Sequence, residues 1–254
     1  MVLWTPEHIR TLLPSLVVIA IVTVLLRKLL IKKPLSIRMI PIQVLAVFII
    51  LLEIGKQAVS FSRGYDLYHI PLHYCSLLIF TLPVMAFYRG KHRQTVNAVT
   101  ATVAGAMTLL TVIYPNLIYS ADNIRQYFNG YLDFHTVTFH TAVILIFALI
   151  VALDIHTVQP KGETKAVTLV AVVFCVVSAS MAQLLKTNYA NFYSCNIPPL
   201  ENVRLAVRDA MGVMIAQLFY VIVVSVLTVL FTLMCYWLYR LLKGKSKAQQ
   251  EISI

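Results

Sequence analysis

The chain has 254 residues, of which 59% are hydrophobic and only 12% charged, with a mean hydropathy of +0.81. A soluble globular domain carries roughly 25% charged residues, so that class is excluded, whereas seven spans of about 20 residues each would occupy roughly 140 positions. Lys and Arg outnumber Asp and Glu by 21 to 10, and in a chain this apolar the excess reads as orientation against a membrane, because no basic stripe with interleaved aromatics that could serve nucleic acid lies outside the apolar runs.

Seven apolar segments follow in order, at residues 12–30, 40–60, 72–88, 96–114, 134–153, 166–185 and 211–239. They predict an all-α integral membrane protein, a single polytopic domain over residues 1–254 built as one bundle of about seven transmembrane helices. The first segment is no signal peptide: Arg27, Lys28, Lys32 and Lys33 follow its apolar run, and no small-residue cleavage site succeeds them. The second is the least apolar and carries Glu53, Lys56 and Gln57. Glu53 and Lys56 stand at i, i+3 and can pair on one helix face; a structural ion pair is one reading and a proton or ion pathway the other. In the seventh, Tyr236, Trp237 and Tyr239 near the end suit an interfacial aromatic belt. Residues 243–254 are polar and predict a flexible cytoplasmic tail.

Orientation follows from the basic residues. One side collects 14 of the 21: Arg27, Lys28, Lys32, Lys33, Arg38, Arg89, Lys91, Arg93, Lys161, Lys165, Arg240, Lys243, Lys245 and Lys247. The other holds Arg10, Arg63, Arg125, Lys186, Arg204 and Arg208, and Lys56 is assigned to a span. The richer side is cytoplasmic by the positive-inside rule, which predicts the N-terminus outside, the C-terminus inside and a multi-pass protein of the cell membrane.

Three outer stretches, residues 61–70, 115–133 and 186–209, are polar or aromatic beyond what a connector needs. In the last, Pro198 and Pro199 precede Glu201, Arg204 and Arg208, whose spacing puts them on one helix face. That predicts an outer extension of the seventh helix, on which Arg204 and Arg208 could hold a phosphate headgroup.

An ionisable residue inside a span is a functional-site hypothesis by default. In His69-Ile-Pro-Leu-His73-Tyr-Cys75, Pro71 suits the first turn of a helix, which puts Cys75 about 6 Å in from its start, where the helix dipole favours thiolate. The fifth segment enters from the same side, with His135 at its mouth and His140 deeper, at a depth comparable to Cys75. A thiol and an imidazole at one depth can act as nucleophile and base in acyl transfer. The plain alternatives are a Cys75 packed as a small hydrophobe and a His140 bonded to a neighbouring helix. His73 and His135 read as interfacial or supporting residues; a regular helix would point His73 and Cys75 about 200° apart. Cys175 and Cys235 read as packing. Cys75 and Cys195 are the two cysteines near the outer face, so an extracytoplasmic disulfide or a metal site with histidine co-ligands are further possibilities. No CxxC or other compact metal spacing is present, and no metal or cofactor is expected.

Pro71-Leu-His73-Tyr-Cys75-Ser-Leu, His140 within the fifth span, and Leu185-Lys-Thr187-Asn188-Tyr189 followed by Cys195 and Pro198-Pro199 resemble the YwaF-type bacterial integral membrane proteins. These are similar to a eukaryotic transmembrane family of cysteine-dependent phospholipid acyltransferases. The resemblance covers about residues 47–234, with the motifs in the right order. It implies Cys75 as nucleophile, His140 as its partner, and Asn188 and Tyr189 as residues that shape the pocket. The cysteine after Asn-Tyr is displaced by about two residues, through Ala190 to Ser194, which weakens any role assigned to Cys195.

The expectation is thus a lipid acyltransferase using Cys75 and His140 near the outer leaflet, with membrane lipids as partners and no nucleic acid. A transporter or solute-binding module lined by Glu53, Lys56, His73, His135 and His140, and a structural or assembly protein without catalysis, are the alternatives.

Overall fold

Helix α1 (Pro6–Leu30) starts where proline can occupy the first turn without losing a hydrogen bond. The backbone N–H of Thr5 donates to His8 Nδ1 at 3.2 Å, and His8 Nε2 donates to the carbonyl of Tyr119 at 2.9 Å. One buried imidazole thereby caps the helix and ties it to a distant loop. This computed structural model describes residues 3–194 and 198–252. After α1 come α2 (Leu35–Arg38), α3 (Ile40–Ser62), α4 (Leu77–Phe87), α5 (Arg93–Ile113), α6 (Pro115–Ile118), α7 (Ala121–Arg125), α8 (Tyr131–Ala152), α9 (Pro160–Leu185), α10 (Pro198–Met211) and α11 (Val213–Ile252). Among the described residues there is no β-strand.

Six stretches are long and apolar enough to cross a membrane: Pro6–Leu30, Leu35–Ser62, Arg93–Ile113, Tyr131–Ala152, Gly162–Leu185 and Val213–Lys243. Lipid supplies no hydrogen-bonding partner, so a spanning segment must satisfy its own backbone, which a helix does. The apolar side chains of α1 and α11 point outward in numbers a soluble surface would not carry, including Val17, Val18, Ile21, Leu25, Leu218, Ile222 and Leu230. At the centre, α5 is the most enclosed, with Ala98, Ala101, Ala104 and Ala106 fully buried. Its small residues let α8 approach closely, as at Gly105 beneath the ring of Phe147. The main core joins α3, α4, α5 and α8 through residues such as Ile49, Leu82, Met107 and Val143, while a second cluster joins α9 to α11 through Phe174, Ala182 and Tyr220.

The third apolar segment departs from its expected form. Pro71 is not the first turn of a helix. The chain runs irregularly through residues 70–73, makes a short 3-10 turn at Tyr74–Ser76, and becomes α-helical only at Leu77. Tertiary bonds hold it open: Leu72 O accepts from Ser178 Oγ on α9 at 2.9 Å, and His73 Nε2 donates to the carbonyl of Tyr68 at 3.2 Å. The apolar helix that results, Tyr74–Phe87, is shorter than the six above. It still runs toward the opposite end of the bundle, where Ala86 O accepts from Gln43 Nε2 near the start of α3 at 3.2 Å.

That opposite end is pinned around residues 152–163. Arg27 and Arg38 donate to the carbonyls of Ala152 and Leu153 at 2.5 and 2.7 Å, and Asn97 donates to that of Ile155 at 3.2 Å. His156 bridges Tyr239 and Glu163, at 2.9 Å on each side, and Lys243 pairs with Asp154.

The segment 198–211 is a separate helix rather than a continuation of the last one. Gly212, at φ +90°, separates α10 from α11, a backbone conformation at which any other residue would be strained. Helix α11 continues to Ile252, so the backbone of the polar segment from Lys243 is helical through that residue.

Candidate functional site

Three parts of the chain converge at the end of the bundle where α3 finishes and α8 begins. Helix α3 carries Glu53 and Lys56 there; the irregular strap between Arg63 and Ser76 carries Tyr68, His69, His73 and Cys75; and α8 carries Asp133, His135, Thr136 and His140. Together with Asn188 and Asn191 beyond α9, and Tyr220, Val224 and Phe231 of α11, they enclose a cavity of about 630 Å³. Its wall is polar on the α3, strap and α8 sides and apolar toward α11.

Cys75 and His140 both line this cavity. Cys75 is a half-buried free thiol, and it is not hydrogen bonded to the imidazole. Cys195, its possible disulfide partner, lies outside the described residues. His140 is 7% exposed, and its Nδ1 lies 2.7 Å from the carbonyl of Thr136 one turn earlier. A carbonyl only accepts, so Nδ1 carries the proton and Nε2 keeps a lone pair for the cavity. Fixing one ring nitrogen in this way selects the tautomer and the orientation of the other.

The strap also explains how His73 and Cys75 reach one space. A regular helix would have pointed them apart, but His73 is in extended conformation (φ −80°, ψ 156°) immediately before the 3-10 turn. Both line the cavity. His73 packs edge-on against Tyr68 and Tyr189, with centroids 4.5 and 5.6 Å away.

Glu53 is the hub of the α3 side. Its Oε1 accepts from Lys56 Nζ at 2.8 Å, the ion pair the spacing predicts, and from Gln57 Nε2 at 2.6 Å. Its Oε2 faces His135 Nε2 at 3.4 Å. Gln57 donates a second bond to the carbonyl of His69 at 2.8 Å and accepts from Tyr65 OH at 2.7 Å, while Ser60 Oγ meets His69 Nδ1 at 2.7 Å. These bonds fasten the Cys75-bearing strap to α3.

Of the remaining sequence candidates, Asn188 lines the cavity while its Oδ1 accepts from the backbone N–H groups of Tyr193 and Ser194. Tyr189 is fully buried behind the wall, and its hydroxyl donates to the carbonyl of Leu67 at 2.5 Å. Arg204 and Arg208 are not brought into the cavity. Arg204 is engaged by Glu201 and Gln217, and Arg208 by its neighbour Asp209. Cys175 lies against the carbonyl of Ser225 at 3.8 Å in the α9–α11 seam, and Cys235 is buried. Among the described residues no group of three His, Cys, Asp or Glu side chains is arranged to hold a metal ion.

Sequence reasoning missed Thr136, the bonds from Gln57 to the strap, and the bond between Asn123 Nδ2 and Asp133 Oδ1, which is 2.7 Å long. Thr136 was findable, because a residue four places before a helical histidine offers it a carbonyl. The other two depend on how the strap folds.

Fold and site together define a multi-pass helical membrane protein with a half-enclosed cavity lined by a thiol, several imidazoles and a buried carboxylate. The chain belongs to the TMEM164 family, which matches it over residues 3–239. No curated protein and no solved structure matches it.

Proposed function

We propose that the protein is an acyltransferase of the cell membrane that uses Cys75 as nucleophile and His140 as base to move an acyl chain between phospholipids. The observation that carries this is the shared cavity: a free thiol and an imidazole with an uncommitted Nε2 line one space whose far wall is apolar. In the first step His140 Nε2 takes the thiol proton and the thiolate attacks an ester carbonyl of the donor lipid. The ester C–O bond breaks, the leaving alcohol regains the proton from the imidazolium, and the acyl group remains on sulfur as a thioester. A lysophospholipid hydroxyl then accepts it. An apolar wall suits the chain, and the polar side suits the glycerol and headgroup. The resemblance to the YwaF-type proteins and to cysteine-dependent acyltransferases supports the same assignment, with Asn188 and Tyr189 shaping the pocket.

Under this reading the chain makes seven passes, the strap and α4 together forming the third, with the cavity in the outer half of the membrane. The clustering of 14 basic residues in the segments at the other side supports that orientation. The test is acyl exchange by the purified full chain in phospholipid vesicles. Cys75→Ala abolishes it, and Cys175→Ala and Cys235→Ala retain it; full activity in the Cys75 variant removes the mechanism.

A further inference from the structure

Among the histidines that line the cavity, His135 has surroundings that a simple ion pair does not explain. Glu53 Oε1 is already shared by Lys56 and Gln57, which would be enough to settle a buried carboxylate. Its other oxygen, Oε2, is sealed from solvent and, among the described residues, has His135 Nε2 as its facing group at 3.4 Å; that nitrogen is sealed in the same way, and neither atom has a second partner there. Both residues are 7% exposed and line the cavity. Among the described residues no hydrogen bond is made to the ring's other nitrogen, Nδ1, and it is not among the sealed atoms. A carboxylate behind one nitrogen holds the proton there, presents the lone pair of the other outward, and stabilises the charge the ring gains on taking a proton. His135 and His140 are five residues apart on α8, about 7.5 Å along the axis, and the ring of Phe139 sits against both, with centroids 5.6 and 5.3 Å away. Each imidazole therefore addresses a different part of the cavity.

We infer that His135, held by Glu53, is the base for the second half of the acyl transfer, taking the proton from the accepting hydroxyl, while His140 serves Cys75 in the first half. The inference rests on the acyl-transfer reading above. In this step the hydroxyl oxygen attacks the thioester carbonyl and its proton goes to His135 Nδ1. The C–S bond breaks, Cys75 leaves as thiolate, and the proton on the His135 imidazolium returns to that sulfur. Glu53 transfers no proton; it is a positioning residue.

The two halves separate experimentally. The full chain and its His135→Gln, Glu53→Gln and His140→Gln variants are placed in vesicles of mixed choline, ethanolamine and glycerol phospholipids without acceptor, and acyl-Cys75 is measured by intact mass. A mixture of the matching lysophospholipids is then added, and loss of the adduct is timed. The expected result is that His135→Gln and Glu53→Gln load Cys75 to within about twofold of the parent but discharge it on the order of 100-fold more slowly, the usual worth of a general base. His140→Gln fails to load. Discharge at the parental rate in both His135→Gln and Glu53→Gln overturns the inference. Equal loss of loading and discharge also overturns it, since that is what a merely structural pair would give; Glu53→Gln, which keeps the side-chain volume, guards against misreading a folding defect. A parent chain that never loads Cys75 instead refutes the acyltransferase reading itself, and the two failures are distinguishable.

Discussion

Glu163→Ala strikes the pinned end of the bundle, far from the cavity. Glu163 is 1% exposed and accepts three hydrogen bonds: from His156 Nε2 at 2.9 Å, from the backbone N–H of Gln159 at 2.7 Å, and from Tyr236 OH at 2.8 Å. His156 and Tyr236 are themselves 1% and 0% exposed, so the donors freed by truncation find no water. An unsatisfied buried donor costs about 1–3 kcal/mol, and removing one member of a buried charged network costs about 3–5 kcal/mol. Because three donors lose their acceptor together, the second figure applies, and about 4 kcal/mol is the expected loss. At roughly 2–4 °C per kcal/mol for a chain of this size, melting falls by about 8–16 °C. Glu163→Gln keeps one acceptor oxygen and the side-chain shape, so it should lose less than half as much. The assay is thermal unfolding of the full chain in detergent micelles, followed by intrinsic fluorescence. A Glu163→Ala protein melting within about 2 °C of the parent would refute the idea that this network carries stability.

Three further outcomes follow from named contacts. Burial holds His156, which lies between two spans, below its ordinary pKa, against the opposing pull of Glu163. The unfolded chain therefore binds protons that the folded chain refuses; stability is fully present above about pH 6.5 and declines as the pH falls below it, by up to about 1.4 kcal/mol per pH unit per group. Melting temperatures between pH 8 and pH 5 check this, and a rise on acidification would contradict it. At Gly105 a Cβ would lie 2.8 Å from Phe147 Cε2, so Gly105→Ala should destabilise the α5–α8 contact by about 1–3 kcal/mol, visible as a lower melting temperature. Gln57→Leu severs the bonds that fasten the strap to α3; Cys75 should then react with a membrane-permeant maleimide several-fold faster than in the parent, and an unchanged rate would mean that the strap is held elsewhere.

Hydropathy made most of the fold legible, because a spanning helix declares itself by a long run of apolar residues whatever packs against it. The segment from Pro71 to Tyr88 was the exception. Its composition is that of a helix throughout, yet Leu72 and His73 are held open by Ser178 and Tyr68, residues whose proximity no local pattern encodes. That same irregularity lets His73 and Cys75 face one cavity, so the misread segment is the one that shapes the site. Ionisable residues in apolar surroundings pointed to Glu53, Lys56, Cys75, His135 and His140, all of which line the cavity. Helical spacing put Glu201 and Arg204 on one face, where they pair, but it carries no sign of Gln217 on the next helix or of Arg208 turning to Asp209. It also could not show Gln57 bonding back to the strap, because that contact exists only once the strap has folded.

The central claim is that Cys75 carries the acyl group. The direct measurement is peptide-resolved mass spectrometry of the full chain recovered from phospholipid vesicles, before and after treatment with neutral hydroxylamine, which cleaves thioesters. The account predicts a fatty-acyl adduct on Cys75 that hydroxylamine removes and that His140→Gln prevents. A Cys75 that stays unmodified while acyl exchange proceeds, or a labile adduct on Cys175 or Cys235 instead, would contradict it.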